Sequence, residues 1–456
     1  MTQLGEAVTR YNRILESDPF KDLAWAELLQ EQMKRENLLL GTKPACPVLR
    51  PHFITPRQYQ NLVKASESLF STMTKVQKMV LSSPALLNRI QLLPAEKMLA
   101  AIEPGHSLLS VTGLLDTTIS NGSLRFADFT GDTPSGVALA EGLSNLFYDA
   151  PPVKEFRKKN KLAKLGGETK PFANAIFKAY KEFKGAGKNG RRPSVAILEF
   201  RQPFQKEPNA EEHLLAEMLR REGFSAEVAS ADQLEYRNGV LRKGDFGIDV
   251  VFRRMKVNEF LVRFDLTHPL VRAYKDRAVC VVDSFRAELS HKRAILELMT
   301  DETIMAKFPA QERRAIAEVV PWTRMVRPSK TLYRGQTVDL MDYVLRNRER
   351  FVLRPNTDGG EVSTFFGPSL TNDAWDRALR QTQRTPYVVQ EVVAPSSEEF
   401  PVFQYGSMQR KQLEIDVHPH SFLGRVSGCS SWLTTRASSG FVSVVGVAPV
   451  FLLGAR

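Results

Sequence analysis

The sequence predicts an α+β protein with more than one domain. Residues 1–40 and 51–102 place apolar side chains at helical spacing, which indicates a helical N-terminal region. Residues 194–254 alternate strand, helix and strand, a pattern that implies parallel strands joined by a right-handed crossover. Residues 351–393 contain three short β-branched or aromatic runs around one helical stretch. Helical, mixed and strand-rich segments in one chain define this fold class.

Composition sets the broad class of protein. The chain has 456 residues, of which 43% are hydrophobic and 25% are charged, so two or three domains with real cores are expected. Residues 1–13 carry Glu6 and Arg10 and lack an apolar segment, so no signal peptide is predicted. The longest apolar run, residues 441–454, is too short to span a bilayer. These features predict a cytoplasmic location and no membrane partner.

The cysteines give a second indication of class. Cys46, Cys280 and Cys429 lie far apart, and none belongs to a C-x-x-C pair. This spacing argues against both a disulfide framework and a zinc knuckle. We expect small buried apolar side chains at these positions.

The positive charge is concentrated in one segment. The net charge is +12, and residues 154–192 contain 13 Lys or Arg against three Glu, so the remaining chain is nearly neutral. Within this segment, residues 171–183 have a helical apolar pattern and residues 185–193 have the Gly and Pro content of a linker. A solvated helix leading into a linker and a patch that contacts phosphate or RNA both fit this pattern. No RNA-recognition signature accompanies it, which argues against a nucleic-acid partner.

A hairpin is predicted where the helical region ends. Residues 108–115 are apolar and lead to Asp116, Asn121-Gly122 is a strong hairpin turn, and residues 124–130 return in alternation. Asp128 and Thr130 share one face of the returning strand, and the turn can bring Asp116 beside them. Two carboxylates and a hydroxyl suit Mg²⁺, which prefers oxygen ligands. A polar outer face on an edge hairpin is the alternative.

The segment after the linker is a mixed α/β unit. Residues 195–200, 226–229 and 248–252 are predicted strands and residues 210–222 a helix, and no G-x-G-x-x-G follows the first strand. A dinucleotide-binding fold is therefore disfavoured. A further buried strand at residues 278–282 precedes a helix through residue 298 that contains Lys292. A lysine on a helix is usually solvated, so this residue alone indicates little.

Residues 351–393 combine a cation with a glycine loop. The first run is a predicted buried strand that carries Arg354 at its tip, and Gly359 and Gly360 follow in a loop. Bare backbone N–H groups approach phosphate oxygens where no Cβ intervenes. A Gly-Gly hairpin turn beside a surface arginine is the alternative interpretation. The third predicted strand carries Gln390 and Glu391 in its middle.

Two other patterns in the sequence bear on metal binding or catalysis. Asp416, His418 and His420 alternate along a predicted strand and could point one way as a metal site, but Pro419 is expected to interrupt that strand. The C-terminal serines lie in no G-x-S-x-G motif, which argues against a serine hydrolase. Neither pattern is favoured as a site.

Taken in order, these stretches resemble the circularly permuted ATP-grasp family, which includes glutathionylspermidine synthase-like ligases. The resemblance covers residue 48 to the C-terminus. It rests on the hairpin that runs into Phe129-Thr130-Gly131-Asp132-Thr133-Pro134-Ser135-Gly136, on the α/β unit, on Val281-Val282-Asp283-Ser284 with Lys292, and on residues 351–367 and 387–393. The resemblance implies an ATP-dependent carboxylate–amine ligase that uses ATP and Mg²⁺, forms an acyl phosphate and releases ADP. It also implies small-molecule or peptide carboxylate and amine substrates.

The resemblance assigns roles to individual residues. The positions that match the family's metal ligands are Asp116, Asp128 and Thr130. Its phosphate-binding cations are matched by Lys292 and Arg354, and its lid loop by Gly359 and Gly360. Its adenine hinge is matched by Gln390 and Glu391, and its late catalytic arginine by Arg436. Arg354 is also expected to act in catalysis. Such catalysis is mostly positioning and neutralisation of charge on phosphate oxygens.

Several positions depart from the family pattern. Thr130 stands where the family has Asn, Asp128 where it has Glu, and Arg354 where it has Lys. Some members have a catalytic arginine at the position of Leu114, and an asparagine is common at that of Phe441. Glu361 adds a carboxylate to the glycine loop, where it would repel phosphate. Both an active ligase and a catalytically degenerate relative that binds nucleotide or an acidic partner without turnover fit these departures.

The predicted fold is a circularly permuted ATP-grasp fold with a small α/β (pre-ATP-grasp) domain and an N-terminal helical region. Residues 1–106 are predicted to form a helical region, and residues 107–150 a metal-site hairpin with a helix that packs on the ATP-grasp core. Residues 151–193 are predicted to form a basic helix with a linker, residues 194–275 the small α/β domain, and residues 276–456 the ATP-grasp lobes.

Overall fold

The computed structural model describes residues 2–120, 123–131, 134–185, 191–201, 209–357, 363–436 and 442–454. The predicted turn at Asn121-Gly122, the predicted lid glycines Gly359 and Gly360, and residues 186–190 of the predicted linker lie outside these ranges. No described helix is both long enough and apolar enough to cross a membrane.

The α-helices of the described ranges are α1 (Gln3–Leu15), α2 (Ala24–Arg35), α3 (Pro56–Leu81), α4 (Pro84–Arg89), α5 (Pro94–Ala101), α6 (Val137–Tyr148), α7 (Pro151–Arg157), α8 (Thr169–Lys184), α9 (Ala210–Arg221), α10 (Val257–Arg263), α11 (Pro269–Lys275), α12 (Glu288–His291), α13 (Ala294–Thr300), α14 (Glu302–Met305), α15 (Ala310–Val319), α16 (Leu340–Arg346) and α17 (Asn372–Gln381).

The strands of the described ranges are β1 (Leu39–Leu40), β2 (Lys43–Pro44), β3 (His52–Ile54), β4 (Thr112–Ser120), β5 (Ser123–Thr130), β6 (Leu162–Lys164), β7 (Ser194–Glu199), β8 (Ser225–Ser230), β9 (Glu235–Arg237), β10 (Val240–Lys243), β11 (Phe246–Ile248), β12 (Val250–Arg254), β13 (Cys280–Val282), β14 (Thr323–Met325), β15 (Lys330–Tyr333), β16 (Gln336–Asp339), β17 (Phe351–Pro355), β18 (Phe365–Phe366), β19 (Tyr387–Glu391), β20 (Ser396–Gln404), β21 (Ser407–Phe422), β22 (Arg425–Arg436) and β23 (Val442–Leu453).

The largest sheet has eight strands and draws them from distant parts of the chain. Its main path runs β3-β23-β22-β21-β4-β5, while β20 pairs with β21 and β6 pairs with β23. The predicted hairpin is present as β4 and β5, and it joins the C-terminal strands because Thr117 is the register partner of Val417. We call this sheet and the helix α3 that packs on it the large lobe. Phe70 of α3 meets Phe129 of β5 with ring centroids 5.5 Å apart.

The helix predicted from residue 51 begins later in the structure. Residues 52–54 form β3, which runs parallel to β23, and α3 starts only at Pro56. Thr55 and Gln58 form a capping box at this point, because each side chain satisfies a free backbone N–H group of the other residue. The cap and Pro56 at the first helical position fix the boundary.

The small α/β domain contains the parallel strands that the sequence predicts. Its sheet has the order β13-β12-β7-β8, and all three strand pairs are parallel. Val195 and Ile197 face α8 and α9, while Ala196 and Leu198 face the side of α11, so helices cover both faces. The sheet continues to β13, beyond residue 275, where the predicted domain ends. Cys280 of β13 is a buried free thiol, as are Cys46 and Cys429, so the predicted burial is confirmed.

A four-stranded sheet in the second half of the chain faces the large lobe. Its order is β14-β19-β17-β18, and its helices α16 and α17 pack around the fully buried Trp375. The strands predicted at the two ends of residues 351–393 are confirmed as β17 and β19, and they pair antiparallel. We call this sheet and its two helices the small lobe.

Candidate functional site

The hairpin of the large lobe brings two predicted site residues together. Asp116 of β4 is the direct cross-strand partner of Asp128 of β5, and Thr130 stands opposite Leu114. A β-bulge follows Asp116, and such a bulge re-aims the neighbouring side chains. The sequence-based expectation that the turn sets Asp116 beside Asp128 therefore agrees with the register.

Two arginines bind the carboxylate of Asp128. Its Oδ2 atom accepts hydrogen bonds from Arg293 Nε at 2.9 Å and from Arg354 Nη2 at 2.8 Å. Its Oδ1 atom accepts one from the backbone N–H of Phe129 at 3.0 Å. The side chain of Arg293 is only 3% exposed, and Asp128 compensates its buried charge. Asp128 thus anchors β17 and the start of α13 to the hairpin.

Arg354 and Gln390 tie the two lobes together beside this carboxylate. Arg354 Nη1 donates to the backbone oxygen of Ala127 at 3.0 Å and to Gln390 Oε1 at 3.3 Å. Gln390 Nε2 donates to the same Ala127 oxygen and to Thr323 Oγ1, both at 3.2 Å. These bonds hold β5 of the large lobe against β14, β17 and β19 of the small lobe.

A cavity of about 600 Å³ lies between the lobes next to this contact. It collects five residues that the resemblance assigns to the site, namely Asp116, Arg354, Gln390, Glu391 and Arg436. One wall is apolar and contains Val352, Phe366, Val392 and Val393. Two further carboxylates, Glu414 and Asp416, project into it from β21. Its volume lies within the usual range of small-molecule sites.

The carboxylates of the cavity affect one another's protonation. Burial, together with the nearby charges of Asp128 and Asp416, raises the pKa of Asp116 from 3.8 to about 7, against the influence of Arg354. Burial likewise raises the pKa of Asp416, although a hydrogen bond from Thr118 Oγ1 at 3.2 Å opposes the shift. No Lys or Arg in the described ranges lies within 4 Å of either carboxylate. Both groups would therefore gain from a bound cation.

His418 supports Asp116 as a neutral partner. Its Nε2 atom lies 3.3 Å from Asp116 Oδ1, and its ring stacks on Trp432 with centroids 5.6 Å apart. Burial and the charge of His420 lower the pKa of His418 to about 3, so the imidazole is neutral at physiological pH. The contact with the carboxylate therefore adds no positive charge.

Arg436 is paired with a carboxylate, and Glu391 is bound by a tyrosine and an arginine. Arg436 donates from Nε and Nη2 to the two oxygens of Glu414, at 3.0 and 2.8 Å, and its guanidinium lies 4.9 Å from the ring centre of Phe366. Glu391 Oε1 accepts from the Tyr333 hydroxyl at 2.6 Å and from Arg334 at 3.0 Å. The bidentate pair fixes the direction of Arg436.

Lys292 lies apart from the cavity, and its predicted position within a helix is wrong. The chain forms α12, leaves helical geometry at Lys292 and resumes as α13. The ammonium is bound to Glu96 at 2.7 Å, to Glu288 at 2.9 Å and to Thr357 Oγ1 at 2.6 Å, and the side chain is 3% exposed. Burial acts to lower the pKa of Lys292, but the charges of Glu288 and Glu96 outweigh it and raise the pKa.

The alternating Asp416, His418 and His420 do not converge on one point. The predicted break of the strand at Pro419 is wrong, because Pro419 pairs with Cys429 of β22. On its other side, the pairing of β21 with β4 is interrupted at this residue, so the N–H group that proline lacks is not needed there. His420 faces Ser430 Oγ at 3.1 Å and Glu168 at 3.5 Å. Within the described ranges, no group of three or more His, Cys, Asp or Glu is arranged to hold a metal ion.

Sequence reasoning missed several residues of this site. Arg293, Glu96 and Glu414 carry no motif, and each acts through a partner that is distant in sequence. In the sequence, Asp416 stands out only as part of a histidine-containing metal pattern. Its alternation with Glu414 on one strand face was the signal that could have placed both in a cavity.

Comparison with solved structures supports the predicted resemblance at the level of the fold. A glutathione synthetase-like effector from Globodera pallida, in its apo form, superposes with a TM-score of 0.62 at 14% identity, covering 96% of this chain and 98% of that chain. A protein described as a γ-glutamylcysteine synthetase from Methylobacillus flagellatus gives a TM-score of 0.41 at 12% identity, covering 86% and 87%. A RimK-domain ATP-grasp protein from Sphaerobacter thermophilus gives 0.29 at 16% identity, covering 56% and 90%. No protein-family model and no curated protein matches the sequence.

Proposed function

We propose that the protein is an ATP-dependent carboxylate–amine ligase whose triphosphate binds in the cavity between the lobes. One observation carries the proposal. Arg354 of the small lobe and Arg436 of the large lobe reach the same cavity as Asp116 and Asp416. Phosphoryl transfer needs cations that neutralise phosphate oxygens and carboxylates that hold Mg²⁺, and both kinds of group are present.

The apolar wall is our proposed site for the adenine ring. Val352, Phe366 and Val392 line it, and β19 ends at Glu391 beside it. The backbone N–H of Val393 has no hydrogen-bond partner among the described residues and could serve an adenine nitrogen. Gln390 is engaged with Arg354 and Thr323, so we assign it to positioning rather than to direct base contact.

The donor set fits Mg²⁺ in part. Asp116 and Asp416 offer carboxylate oxygens that have no cationic partner within 4 Å among the described residues, and burial raises the pKa of both groups, so a bound cation would stabilise their charged forms. Asp128 and Thr130 remain predicted ligands, although the arginines already occupy Oδ2 of Asp128 and leave only Oδ1 to a metal. When bound, the metal would neutralise the charge that develops on the phosphate oxygens.

The chemistry we propose proceeds in two transfers. An oxygen of the substrate carboxylate attacks the γ-phosphorus, the bond to the bridging oxygen breaks, and ADP leaves with that oxygen. The amine nitrogen then attacks the acyl carbon of the acyl phosphate, inorganic phosphate leaves, and the nitrogen loses a proton. Arg354 and Arg436 would hold the transferring group, because guanidinium groups bind phosphate oxygens in a fixed geometry.

We also infer that the ATP-grasp core is circularly permuted. The hairpin β4–β5 precedes the small lobe in the chain, yet it pairs with β21 near the C-terminus. The strands that carry Asp116 and Asp416 are therefore neighbours in space and far apart in sequence.

Two observations favour a second candidate, a nucleotide-binding protein without turnover. Lys292, the predicted phosphate-binding lysine, is enclosed by Glu96 and Glu288 rather than directed at the cavity. Arg436 is likewise paired with Glu414. If these pairs persist with nucleotide bound, phosphate would be held weakly and transfer would not occur.

Two measurements separate the candidates. Binding of a fluorescent ATP analogue in the presence of Mg²⁺ tests the site, and ADP release with pools of carboxylates and amines tests turnover. We expect Arg436→Met to weaken nucleotide binding about ten-fold, a loss of about 1.4 kcal/mol, because it removes a cation from the cavity. Arg410→Met is the matched control, since Arg410 lies on β21 and pairs with Glu399 and Glu16 outside the cavity. Binding without carboxylate-dependent ADP release would establish the second candidate, and absence of binding would exclude both.

A further inference from the structure

We propose that a second, larger cleft binds an extended acidic peptide, independently of the nucleotide cavity. The cleft has a volume of about 1080 Å³ and lies between α3, α8, residues 107–113 and the turn between β21 and β22. We call it the basic cleft, after the five cationic side chains that line it, Lys64, Lys75, Lys78, Lys178 and Arg425.

The charges of the basic cleft are not balanced. Its lining contains one carboxylate, Glu67, which accepts from Arg425 at 2.7 Å and from the backbone N–H of Val426 at 3.2 Å. Lys75 is bound to Glu312 at 2.6 Å. The remaining three lysines have no ion-pair or hydrogen-bond partner in the part of the chain that the structure describes. The cleft therefore offers three free ammonium groups to an acidic ligand.

The lysines are spread along the cleft. Lys64, Lys75 and Lys78 lie on one face of α3, and 14 residues of helix between the first and last correspond to about 21 Å. An extended peptide advances about 3.3 Å per residue, so about six residues would span this distance. A single carboxylate or phosphate would reach one lysine at a time, whereas an extended chain can meet all of them.

The wall opposite α3 offers backbone groups that suit an extended chain. The backbone N–H groups of Leu108, Leu109 and Ser110 have no hydrogen-bond partner among the described residues, and this segment belongs to no strand. The hydroxyl of Ser110 is shielded from solvent and also lacks a partner there. Extended peptides bind unpaired backbone groups through main-chain hydrogen bonds.

The remaining lining favours a peptide over a nucleic acid. Val63, Leu108 and Leu423 place apolar side chains between the cations, which a chain with alternating acidic and small apolar residues would match. Single-stranded nucleic acids need aromatic rings on which bases stack. Two of the three aromatic side chains that line the cleft, Phe70 and Phe129, are 4% and 2% exposed and pack on each other.

The test is fluorescence anisotropy with the full chain and a fluorescein-labelled octapeptide of alternating Glu and Ala. The cleft variant is Lys64→Glu, Lys78→Glu and Lys178→Glu combined. The control variant combines Lys154→Glu, Lys158→Glu and Lys161→Glu, which makes the same change of charge in the basic segment outside the cleft. We expect the wild type and the control to bind alike and the cleft variant to bind about ten-fold more weakly, with affinity falling as salt screens the charges.

Three outcomes would overturn the proposal. The octapeptide fails to bind, the two triple variants weaken binding equally, or a thymidine oligonucleotide or polyphosphate binds the cleft while the octapeptide does not. Melting curves check that the variants fold. If the cleft variant with three Glu substitutions does not fold, the same three lysines are replaced by Gln, which is a milder change.

Discussion

Replacing Asp128 with Asn tests whether this carboxylate holds the lobes together. Its Oδ2 atom serves both Arg293 and Arg354, whose side chains are 3% and 18% exposed, and its own side chain is 10% exposed. The substitution keeps the shape of the side chain and removes its negative charge. Two guanidinium groups then face each other across a neutral amide with little water to solvate them.

The structure sets the size of the expected effect. Breaking a buried ion pair by removing one partner costs about 3–5 kcal/mol, and we expect Asp128→Asn to lower the free energy of unfolding by this amount. With about 2.1 cal/mol/K of unfolding entropy per residue over 456 residues, this corresponds to about 3–5 °C in Tm if the chain unfolds as one unit.

Calorimetry and scanning fluorimetry at neutral pH provide the assay. Asp376→Asn is the matched control, because Asp376 forms a 2.8 Å pair with Arg380 that is exposed on the surface of α17. Exposed pairs contribute about 0–1 kcal/mol, so this control should shift Tm by less than about 1 °C. A double variant with Arg293→Met should recover part of the loss, since an uncharged pair needs no compensation. Equal shifts for Asp128→Asn and Asp376→Asn would refute the reasoning.

Three further predictions concern the charges of the site. Because the folded-state pKa of Asp116 is raised from 3.8 to about 7, the wild type should lose stability relative to Asp116→Asn as pH rises from about 4 to about 7, and a Tm difference that is constant between these pH values would contradict this. Lys292→Met should lower the free energy of unfolding by about 3–5 kcal/mol, because it leaves the buried carboxylates of Glu96 and Glu288 without a cation, and an unchanged melting curve would argue against a structural ion cluster. Binding of the fluorescent ATP analogue should fall at least about ten-fold when EDTA removes Mg²⁺ at neutral pH, because Asp116 and Asp416 would repel phosphate. Equal affinity with and without the metal would exclude these two carboxylates as its ligands.

The elements that the sequence predicts well are those with strong local patterns. Residues 194–254 and the two strands of residues 351–393 combine β-branched runs with clear turn residues, and their strand boundaries fall within a few residues of those in the structure. The helix predicted from residue 51 fails at its start. There the short apolar run 52–54 fits either a helix or a strand, and pairing with distant β23 decides in favour of the strand.

The side-chain contacts of the site could not be predicted in the same way. Arg293 and Asp128 are 165 residues apart, and Lys292 and Glu96 are 196 apart, so no periodicity relates them. Lys292 also sits where two helices meet, and its backbone leaves helical geometry while the ammonium binds two buried carboxylates and Thr357. Local propensity contains no information about such tertiary pairing.

The charge balance of the cavity explains why the metal is central to the proposed activity. Arg354 and Arg436, the cations that reach the cavity, are already paired with Asp128 and Glu414. Asp116 and Asp416 have no such partner in the described ranges, so the cavity as a whole is acidic once both are ionised. A triphosphate entering it alone would meet repulsion, whereas a triphosphate that carries a divalent cation would bring the missing partner for both carboxylates. The pairing of Arg354 and Arg436 with carboxylates of the protein thus directs nucleotide binding towards the metal complex, rather than removing the site.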